Sequence, residues 1–476
     1  MGSNRIGRIL VASLIVFGAG MGVVAEEEVI VGHWQGVLTV PGGELPVIFH
    51  IALDEGGDLG ATLDSPNQGA IGIQVSDVTF ADNHLSLKVA AIAGGYEGDL
   101  EDDGKIHGLW SQGGANLDLE LERTEEPTAL APKPQEPKPP YPYSEHQVTV
   151  AGPQPSVTLA GTLTLPEGAG PHPAVILITG SGPQNRDEEL LGHKPFLVLA
   201  DYLTRRGIAV LRMDDRGVGE STGSFAEATS MDFADDIESA VGFLRERADI
   251  GEIGLVGHSE GGLVAPIVAN RTSEVGFVLL MAGPGLTGEE ILYLQSTLII
   301  KANGGTDAAA AANNATQKAM FEILKQETDL EVAKQKMTEP LREALASAGV
   351  PEEAIEAQVQ AQITEVASPW FKYFLTYDPA PALRTLECPV LAVFGEKDTQ
   401  VPPTENIAAI RAALEEGGHT DYELLELPGL NHLFQTADTG SPSEYATIEE
   451  TIAPLALETI SDWILKQVLD ASQSEE

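Results

Sequence analysis

Residues 253–271 read IGLVGHSEGGLVAPIVANR, an apolar run that meets a glycine-rich turn and then a second apolar run. The first run is typical of a buried strand and the second of a helix. A serine on such a turn, flanked by glycines, indicates a nucleophile elbow that exposes a reactive hydroxyl. The stretch therefore predicts Ser259 as a nucleophile, with Gly257 and Gly261 leaving room for the strained backbone of the turn.

The same short pattern occurs again as GESTG at 219–223, so the pattern alone does not identify the nucleophile. DDRGVGE separates Ser221 from the strand-like IAVLRM, and TGSFAEATS, which follows it, is loop-like. An elbow needs its strand directly before the serine and its helix directly after it. The flanking sequence favours Ser259 over Ser221.

Apolar strands alternate with amphipathic helices through residues 144–476. A hairpin arm, VTLAGTLTLP, comes first, and helical segments such as PFLVLADYLTRRG separate several of the later strands. The strand-like runs are AVILITG, IAVLRM, IGLVGH, GFVLLMAG, PVLAVFG and YELLELPG. This alternation predicts the α/β class, with a mostly parallel, doubly wound sheet.

A reactive serine needs a base for its proton and an acid that fixes the tautomer of the base. After an elbow, the expected order is serine, acid, histidine, with the last two in loops after later strands. Asp398 follows PVLAVFG and His432 follows YELLELPG. Glu396 is a weaker alternative for the acid because it lies closer to the strand end, and His419 lies at the wrong end of its strand. The predicted catalytic residues are Ser259, Asp398 and His432.

The oxyanion of such a reaction is normally held by the amide after the nucleophile and by an amide in the loop after an earlier strand. The first of these is Glu260. For the second we choose Ser181, in the loop GSGPQNRD, with Gly182 close behind. We expect the Glu260 side chain to face the pocket rim, and His258 to point away from the reacting atoms and be structural.

Residues 29–123 show short alternating stretches such as ELPVIFHIAL, separated by turn signals. They predict a small all-β domain, either a barrel or a sandwich. Trp34 and Trp110 are expected in its core, with stacking on a ligand as the alternative. The prolines of 124–143 predict a semi-rigid linker.

Residues from about 286 to 377 are helical in pattern and rich in Ala, Glu, Gln and Lys. A helical insertion between two strands predicts a lid over the sheet edge where ligands bind. A structural outgrowth or an oligomer contact is the alternative.

Residues 1–25 place Arg5 and Arg8 before an apolar run and end in small residues, as an export signal does. They predict a periplasmic or secreted chain with no membrane span after cleavage. An uncleaved anchor is less favoured because Gly and Ser interrupt a run barely long enough to cross a bilayer.

The composition limits the partners. The 72 acidic and 27 basic residues give a formal charge of −45, which disfavours nucleic acid and anionic lipid. Cys388 is the single cysteine, so an intramolecular disulfide and a cysteine-based zinc site are excluded. The motifs imply no metal and no organic cofactor, and they leave the oligomeric state open.

The long motifs TGSGPQNRDE, GHKPFLVLADYLTRRGIAVLRMDDRGVGEST and GHSEGG together resemble an exported bacterial esterase subgroup of the α/β-hydrolases that carries an N-terminal β-domain. That subgroup is similar to serine aminopeptidases and prolyl oligopeptidases. The resemblance runs from about Tyr143 to the C-terminus and implies a carboxylesterase acting on short acyl chains. Loop scaffolding is the expected role of His193, Arg186 and 214–216.

These observations predict a serine hydrolase that cleaves small-molecule carboxylic esters of short to medium acyl length through an acyl-enzyme. An aminopeptidase or prolyl-type peptidase is the first alternative, although the β-domain is too short for the propeller of large oligopeptidases. A binding protein with an inert hydrolase domain is the second.

Overall fold

The structure is a computed structural model. It describes residues 29–40, 43–53, 59–65, 70–92, 94–112, 115–125, 133–347, 349–350 and 352–474. The predicted export signal at 1–25 lies outside the described residues and stays a prediction.

The described residues before 126 form one antiparallel sheet of nine strands. These are β1 (Gly32–Val40), β2 (Gly43–Leu53), β3 (Leu59–Ser65), β4 (Ala70–Val75), β5 (Asp77–Ala81), β6 (His84–Val89), β7 (Gly94–Leu100), β8 (Lys105–Gln112) and β9 (Ala115–Thr124). Their order across the sheet is β4-β3-β2-β1-β9-β8-β7-β6-β5.

The sheet curls into a barrel. Its two edge strands, β4 and β5, are joined through Ser76, and β4 packs on β6 while β5 packs on β3. The amide and hydroxyl of Ser76 both donate to the Lys88 carbonyl, at 2.6 and 2.8 Å. Strands β4 and β5 together thus close the sheet. The domain is therefore a barrel and not a sandwich.

The barrel interior follows the period of two expected of strands. In β3 and β6, buried residues alternate with more exposed ones. Trp34 is fully enclosed and donates from its indole to the Ile30 carbonyl at 2.7 Å, so it is a core residue as predicted.

The predicted linker is only partly a spacer. From Lys133 onward it lies on the second domain, where the Lys133 ammonium donates to the carbonyls of Ala446 and Ile448 at 3.0 and 2.9 Å. Gln135 donates to the Ile452 carbonyl at 2.8 Å. These contacts replace the backbone hydrogen bonds that an extended proline-rich segment lacks, so the second half of the linker is fixed to the domain that follows it.

An eight-stranded sheet of order β10-β11-β13-β12-β14-β15-β16-β17 forms the second domain. The strands are β10 (Tyr143–Ala151), β11 (Thr158–Pro166), β12 (His172–Ile178), β13 (Ala209–Met213), β14 (Ile250–His258), β15 (Val275–Met281), β16 (Val390–Gly395) and β17 (Tyr422–Leu427). Strands β12 to β17 pair with one another in parallel. The hairpin of β10 and β11 adds an antiparallel edge.

Helices connect and cover these strands. They are α1 (Pro195–Arg205), α2 (Ser230–Arg245), α3 (Gly261–Ala269), α4 (Gly288–Ala302), α5 (Asp307–Gln326), α6 (Leu330–Ser347), α7 (Glu352–Val366), α8 (Pro369–Thr376), α9 (Ala380–Arg384), α10 (Pro403–Glu416) and α11 (Pro454–Ser474). The predicted fold class, an α/β-hydrolase domain preceded by a small all-β domain, is confirmed. None of the described helices has both the length and the apolar character needed to cross a membrane.

The insertion between β15 and β16 is helical, as predicted. Helices α4 to α8 have a hydrophobic core of their own, separate from the core around the sheet. The insertion is therefore a packed subdomain on the sheet domain, and its contacts with the elbow are described below.

Candidate active site

Ser259 lies on the sharp turn between β14, which ends at His258, and α3, which begins at Gly261. Its φ of +51° is left-handed, a conformation that costs a non-glycine residue about 1–3 kcal/mol. A Cβ on Gly257 would lie 2.1 Å from the Gly261 carbonyl oxygen, and one on Gly261 would lie 2.2 Å from the Ile178 carbonyl oxygen. Both clashes are with backbone, so neither position accepts a side chain without opening the turn.

Asp398 and His432 meet as the sequence predicts. The Nδ1 of His432 donates to Asp398 Oδ2 at 2.8 Å, and both side chains are buried. The second carboxylate oxygen, Oδ1, accepts the amides of Gln400 and Val401, each at 2.8 Å. The pair thereby fixes the imidazole tautomer that leaves Nε2 unprotonated, as a general base requires.

The rejected alternatives have other partners. Glu396 is exposed and accepts the amide of Gly429 at 2.8 Å, while His419 donates to the Cys388 carbonyl at 2.9 Å. In GESTG, the Ser221 hydroxyl donates to the Asp214 carbonyl at 2.8 Å and accepts the Ala160 amide at 2.9 Å. Each of these groups holds a turn or a loop.

His258 links the elbow to the His432 loop. Its Nδ1 lies 2.9 Å from Glu188 Oε1, its Nε2 lies 3.1 Å from the His432 carbonyl oxygen, and the two imidazole centres are 4.9 Å apart. A carboxylate and a carbonyl both accept, so both ring nitrogens must donate and the ring is an imidazolium. Burial alone lowers the pKa of His258, but the charge and hydrogen bond of Glu188 outweigh it and raise the pKa.

Glu188 joins this ion pair to the predicted oxyanion loop. The same Oε1 accepts the Gly180 amide at 2.7 Å. A Cβ on Gly180 would lie 3.3 Å from the Cβ of Ser259, so this part of the loop lies directly against that serine. Glu188 was not singled out from the sequence, although it ends the motif TGSGPQNRDE.

Two neighbouring aspartates fix the rest of the oxyanion loop. Asp215 accepts the Thr179 hydroxyl at 2.8 Å and the Gln184 amide at 2.9 Å. Asp214 pairs with the guanidinium of Arg186 at 2.6 Å and accepts its amide at 2.8 Å. Burial of its carboxyl raises the pKa of Asp215 to about 8, against the lowering effect of both hydrogen bonds. These contacts support the scaffolding role expected of the aspartates and of Arg186.

Arg216 and His193, the other residues expected to act as loop scaffold, also have partners within the protein. Arg216 forms an ion pair with Asp236 at 2.7 Å, and His193 is buried between the Thr451 hydroxyl and the Tyr445 carbonyl, each at 3.0 Å. Within the described part of the chain, no cluster of His, Cys, Asp and Glu has the arrangement of a metal site.

The two amides chosen for the oxyanion remain available. Among the described residues, neither the Ser181 amide nor the Glu260 amide donates to a protein acceptor, whereas the Gly180 amide is bound to Glu188. Glu260 directly follows Ser259, and Ser181 directly follows the glycine that packs against it. The oxyanion roles stay predictions, and the backbone leaves both donors free for them.

The expectation that the Glu260 side chain faces the pocket rim is wrong. Glu260 is 3% exposed, and its Oε1 accepts the Ser230 hydroxyl at 2.6 Å and the Trp370 indole at 2.7 Å. Trp370 lies in α8, which covers the elbow at this point. Burial raises the pKa of Glu260, since the two hydrogen bonds compensate only part of the desolvation.

A family model described as serine aminopeptidase, S33, matches residues 194–437, just over half of the chain. The chain belongs to this family. The family match includes Ser259, Asp398 and His432. The chain is also 26% identical over 373 residues to Esterase EstD from Thermotoga maritima, with 77% of this chain and 75% of that protein covered.

Solved structures similar to the chain include Est1E from Butyrivibrio proteoclasticus with bound ferulic acid, at 18% identity and a TM-score of 0.40 over 68% of this chain and 99% of that one. The Pyrococcus furiosus esterase Pf2001 is 16% identical, with a TM-score of 0.39 over 60% of this chain and 83% of that one.

We expect His258→Phe to lower the free energy of unfolding by about 3–5 kcal/mol, because it leaves the Glu188 carboxylate buried without its counter-ion. Adding Glu188→Leu should recover part of the loss. The exposed His146 provides the control, and His146→Phe should change stability by less than about 0.5 kcal/mol in urea unfolding. A double variant less stable than His258→Phe would contradict the ion pair.

The ion pair also predicts a pH dependence. Because the pKa of His258 is raised in the folded protein, its stabilisation is complete below the unfolded pKa, near 6.5, and is lost as pH rises through the raised value. The stability difference between wild type and the double variant His258→Phe/Glu188→Leu, which carries neither charge, should therefore shrink toward alkaline pH. A difference that grows would show that the ring is neutral.

Asp215→Asn should weaken a second dependence of the free energy of unfolding on pH. Between the ordinary pKa of 3.8 and about 8, the folded protein retains a proton that the unfolded chain has lost. Stability therefore falls as pH rises across this range, by at most about 1.4 kcal/mol per pH unit. The variant should lose less stability than wild type between pH 5 and 8, whereas the exposed control Asp102→Asn should follow wild type. Parallel curves for wild type and Asp215→Asn would contradict a protonated Asp215.

Proposed function

We propose that the chain hydrolyses small-molecule carboxylic esters of short to medium acyl length through an acyl-enzyme, with Ser259 as nucleophile, His432 as base and Asp398 as the acid that orients the base. Membership of the serine aminopeptidase family and the likeness to Esterase EstD support a carboxylesterase-type hydrolase. The observation that carries the assignment is the buried 2.8 Å hydrogen bond between His432 and Asp398, on loops that meet beside a strained serine.

Acylation begins when Ser259 Oγ attacks the ester carbonyl carbon and passes its proton to His432 Nε2. The imidazolium that forms is stabilised by the Asp398 carboxylate at Nδ1. The carbon–oxygen bond to the alcohol then breaks, and the alcohol leaves with the proton from His432. Water then attacks the acyl carbon of the acyl-enzyme and gives a proton to His432 Nε2. The bond between the acyl carbon and Ser259 Oγ breaks, His432 returns the proton to Oγ, and the carboxylic acid product leaves.

The negative charge that develops on the carbonyl oxygen is assigned to the free amides of Ser181 and Glu260. Fixed backbone donors stabilise such a charge without reorganising during the reaction. Glu188 and Asp215 accept hydrogen bonds from amides of the oxyanion loop, and these bonds keep the loop rigid.

A small cavity lies beside these amides. It is lined by Gly180 and Glu260, by apolar side chains that include Leu159, Met213 and Val264, and by Asp214, Asp215 and Asp236. Its volume is about 30 Å³, close to the space of one water molecule, so an acyl chain does not fit in it.

We propose the α4–α8 insertion as the lid of the active site. The supporting contact is the hydrogen bond from the Trp370 indole to Glu260, the residue that follows the nucleophile. Any opening of the insertion must break this bond and expose a buried carboxyl group, so the contact favours the closed arrangement.

A peptidase is the second candidate, and the family description favours it. A substrate amine would need an accessible carboxylate, whereas Glu260 is already bound to Ser230 and Trp370.

Export to the periplasm or the medium remains our proposal from residues 1–25. Intact mass of the protein purified from the periplasm would test it, with a chain that still carries residues 1–25 as the contradicting result.

Ser259→Ala should lower turnover of p-nitrophenyl butyrate by about 10⁶-fold and abolish labelling by a fluorophosphonate. Ser221→Ala, at the second copy of the motif, is the matched control and should keep turnover within about tenfold. Unchanged turnover by Ser259→Ala would overturn the assignment. A wild-type chain that takes no label would instead favour an inert binding protein.

An acyl-chain series and an aminoacyl p-nitroanilide, assayed on one preparation, separate the two candidate reactions. We expect kcat/KM to be highest for short esters and much lower for the amide. Faster hydrolysis of the amide would make the chain a peptidase that uses the same residues.

Trp370→Phe should raise KM for the ester about threefold to tenfold with a smaller change in kcat, because it removes one donor to Glu260 but keeps the stack on Phe374 at 5.3 Å. Tyr373→Phe, one turn along α8, is the control and should leave both constants within about twofold. Equal effects of the two variants on KM would contradict the contact between lid and elbow.

A further inference from the structure

The N-terminal barrel is filled at one end and hollow at the other. Trp34, Phe49 and Tyr96 are among its largest fully buried side chains. Beyond them, toward the hairpin where Leu38 pairs with Leu45, lies a cavity of about 490 Å³ that is partly open to solvent. The apolar side chains that line it include Leu38, Leu45, Val47, Leu63, Ile73 and Leu117.

The size of this cavity distinguishes it from a packing defect. Protein interiors are close-packed and rarely keep voids larger than a water molecule. An apolar cavity of roughly 150 Å³ already binds benzene, and ligand sites span roughly 300–1,000 Å³. Barrels of about eight strands are wide enough either to be filled by side chains or to hold one small ligand. Side chains fill this barrel at one end, and the other end has space for a ligand.

Trp110 forms a fixed part of the wall. It is 3% exposed, and a Cβ on Gly94 would lie 2.6 Å from its ring, so the indole is held by close packing. Its Nε1 donates to Gln112 Oε1 at 3.2 Å, and the Gln112 amide donates to the Ile92 carbonyl at 3.0 Å. The ring therefore offers its apolar surface to the cavity while its polar atom is occupied.

The lining also selects against charge. Its polar side chains are Ser65 and Gln112, and no acidic or basic residue lines it within the described part of the barrel. A charged group placed there would lose its hydration without gaining a counter-ion. The occupant that suits the wall is therefore an uncharged molecule with a hydrocarbon chain.

We propose that this cavity binds one neutral molecule with a hydrocarbon chain, such as a fatty alcohol or a neutral fatty ester. The site is separate from Ser259 and does not depend on the proposed ester hydrolysis. It gives the β-domain a ligand-binding function of its own.

The full-length Ser259→Ala protein, titrated with the neutral fluorophore N-phenyl-1-naphthylamine, tests the proposal. We expect saturable, blue-shifted fluorescence at one equivalent, displaced by 1-dodecanol and at least tenfold less readily by dodecanoate. Ile73→Trp fills the cavity and should weaken binding at least tenfold. Val37→Trp, the same change at a position that is 49% exposed on the outer face, should leave affinity within about twofold.

Three results would overturn the proposal: no saturable binding, affinity unchanged in Ile73→Trp, or equal displacement by dodecanol and dodecanoate. Unchanged affinity would place the fluorophore elsewhere, for example under the insertion. Far-UV circular dichroism checks that each variant is folded. If Ile73→Trp is not folded, Leu117→Trp fills the same cavity from the opposite wall and takes its place.

Discussion

The left-handed backbone of Ser259 is the constraint on which the catalytic domain depends. A strand and a helix can meet at so sharp a turn only if the residues two positions before and after the serine carry no side chain. The clashes at Gly257 and Gly261 are with backbone carbonyls that cannot move aside. The cost of the strain is met by the surroundings. The Ser259 amide donates to the Met281 carbonyl at 2.8 Å, which ties the turn to the neighbouring strand β15.

Next to this turn, a buried ion pair between Glu188 and His258 holds two neighbouring loops in place. Glu188 holds the oxyanion loop through Gly180, and His258 holds the His432 loop through its carbonyl, so one ion pair fixes two loops against the elbow. A buried pair of this kind is a poor source of stability because both groups lose hydration. Its value lies in geometry, since neither loop can shift without breaking a buried hydrogen bond to the ion pair.

The sequence was informative where function requires a local pattern. Ser259 directly follows a strand, and Asp398 and His432 lie three and five residues past the ends of theirs. The carboxyl ends of parallel strands share one edge of a sheet, so their meeting point was predictable. The burial of Glu260 was not, because it depends on Trp370, which is 110 residues further along the chain and packs through a tertiary contact. The closure of the barrel was likewise open, since alternation fixes which face is buried but not whether the sheet edges meet. The roles proposed for Ser259, Asp398 and His432 rest on this geometry.

Intact-protein and peptide mass spectrometry after acid quenching of a reaction with p-nitrophenyl butyrate tests the central claim most directly, because it observes the covalent intermediate. The account predicts that one butyryl group accumulates per chain and that the modified peptide carries it on Ser259. A butyryl group on any other residue, or full turnover with no acylated protein at any quench time, would contradict the account.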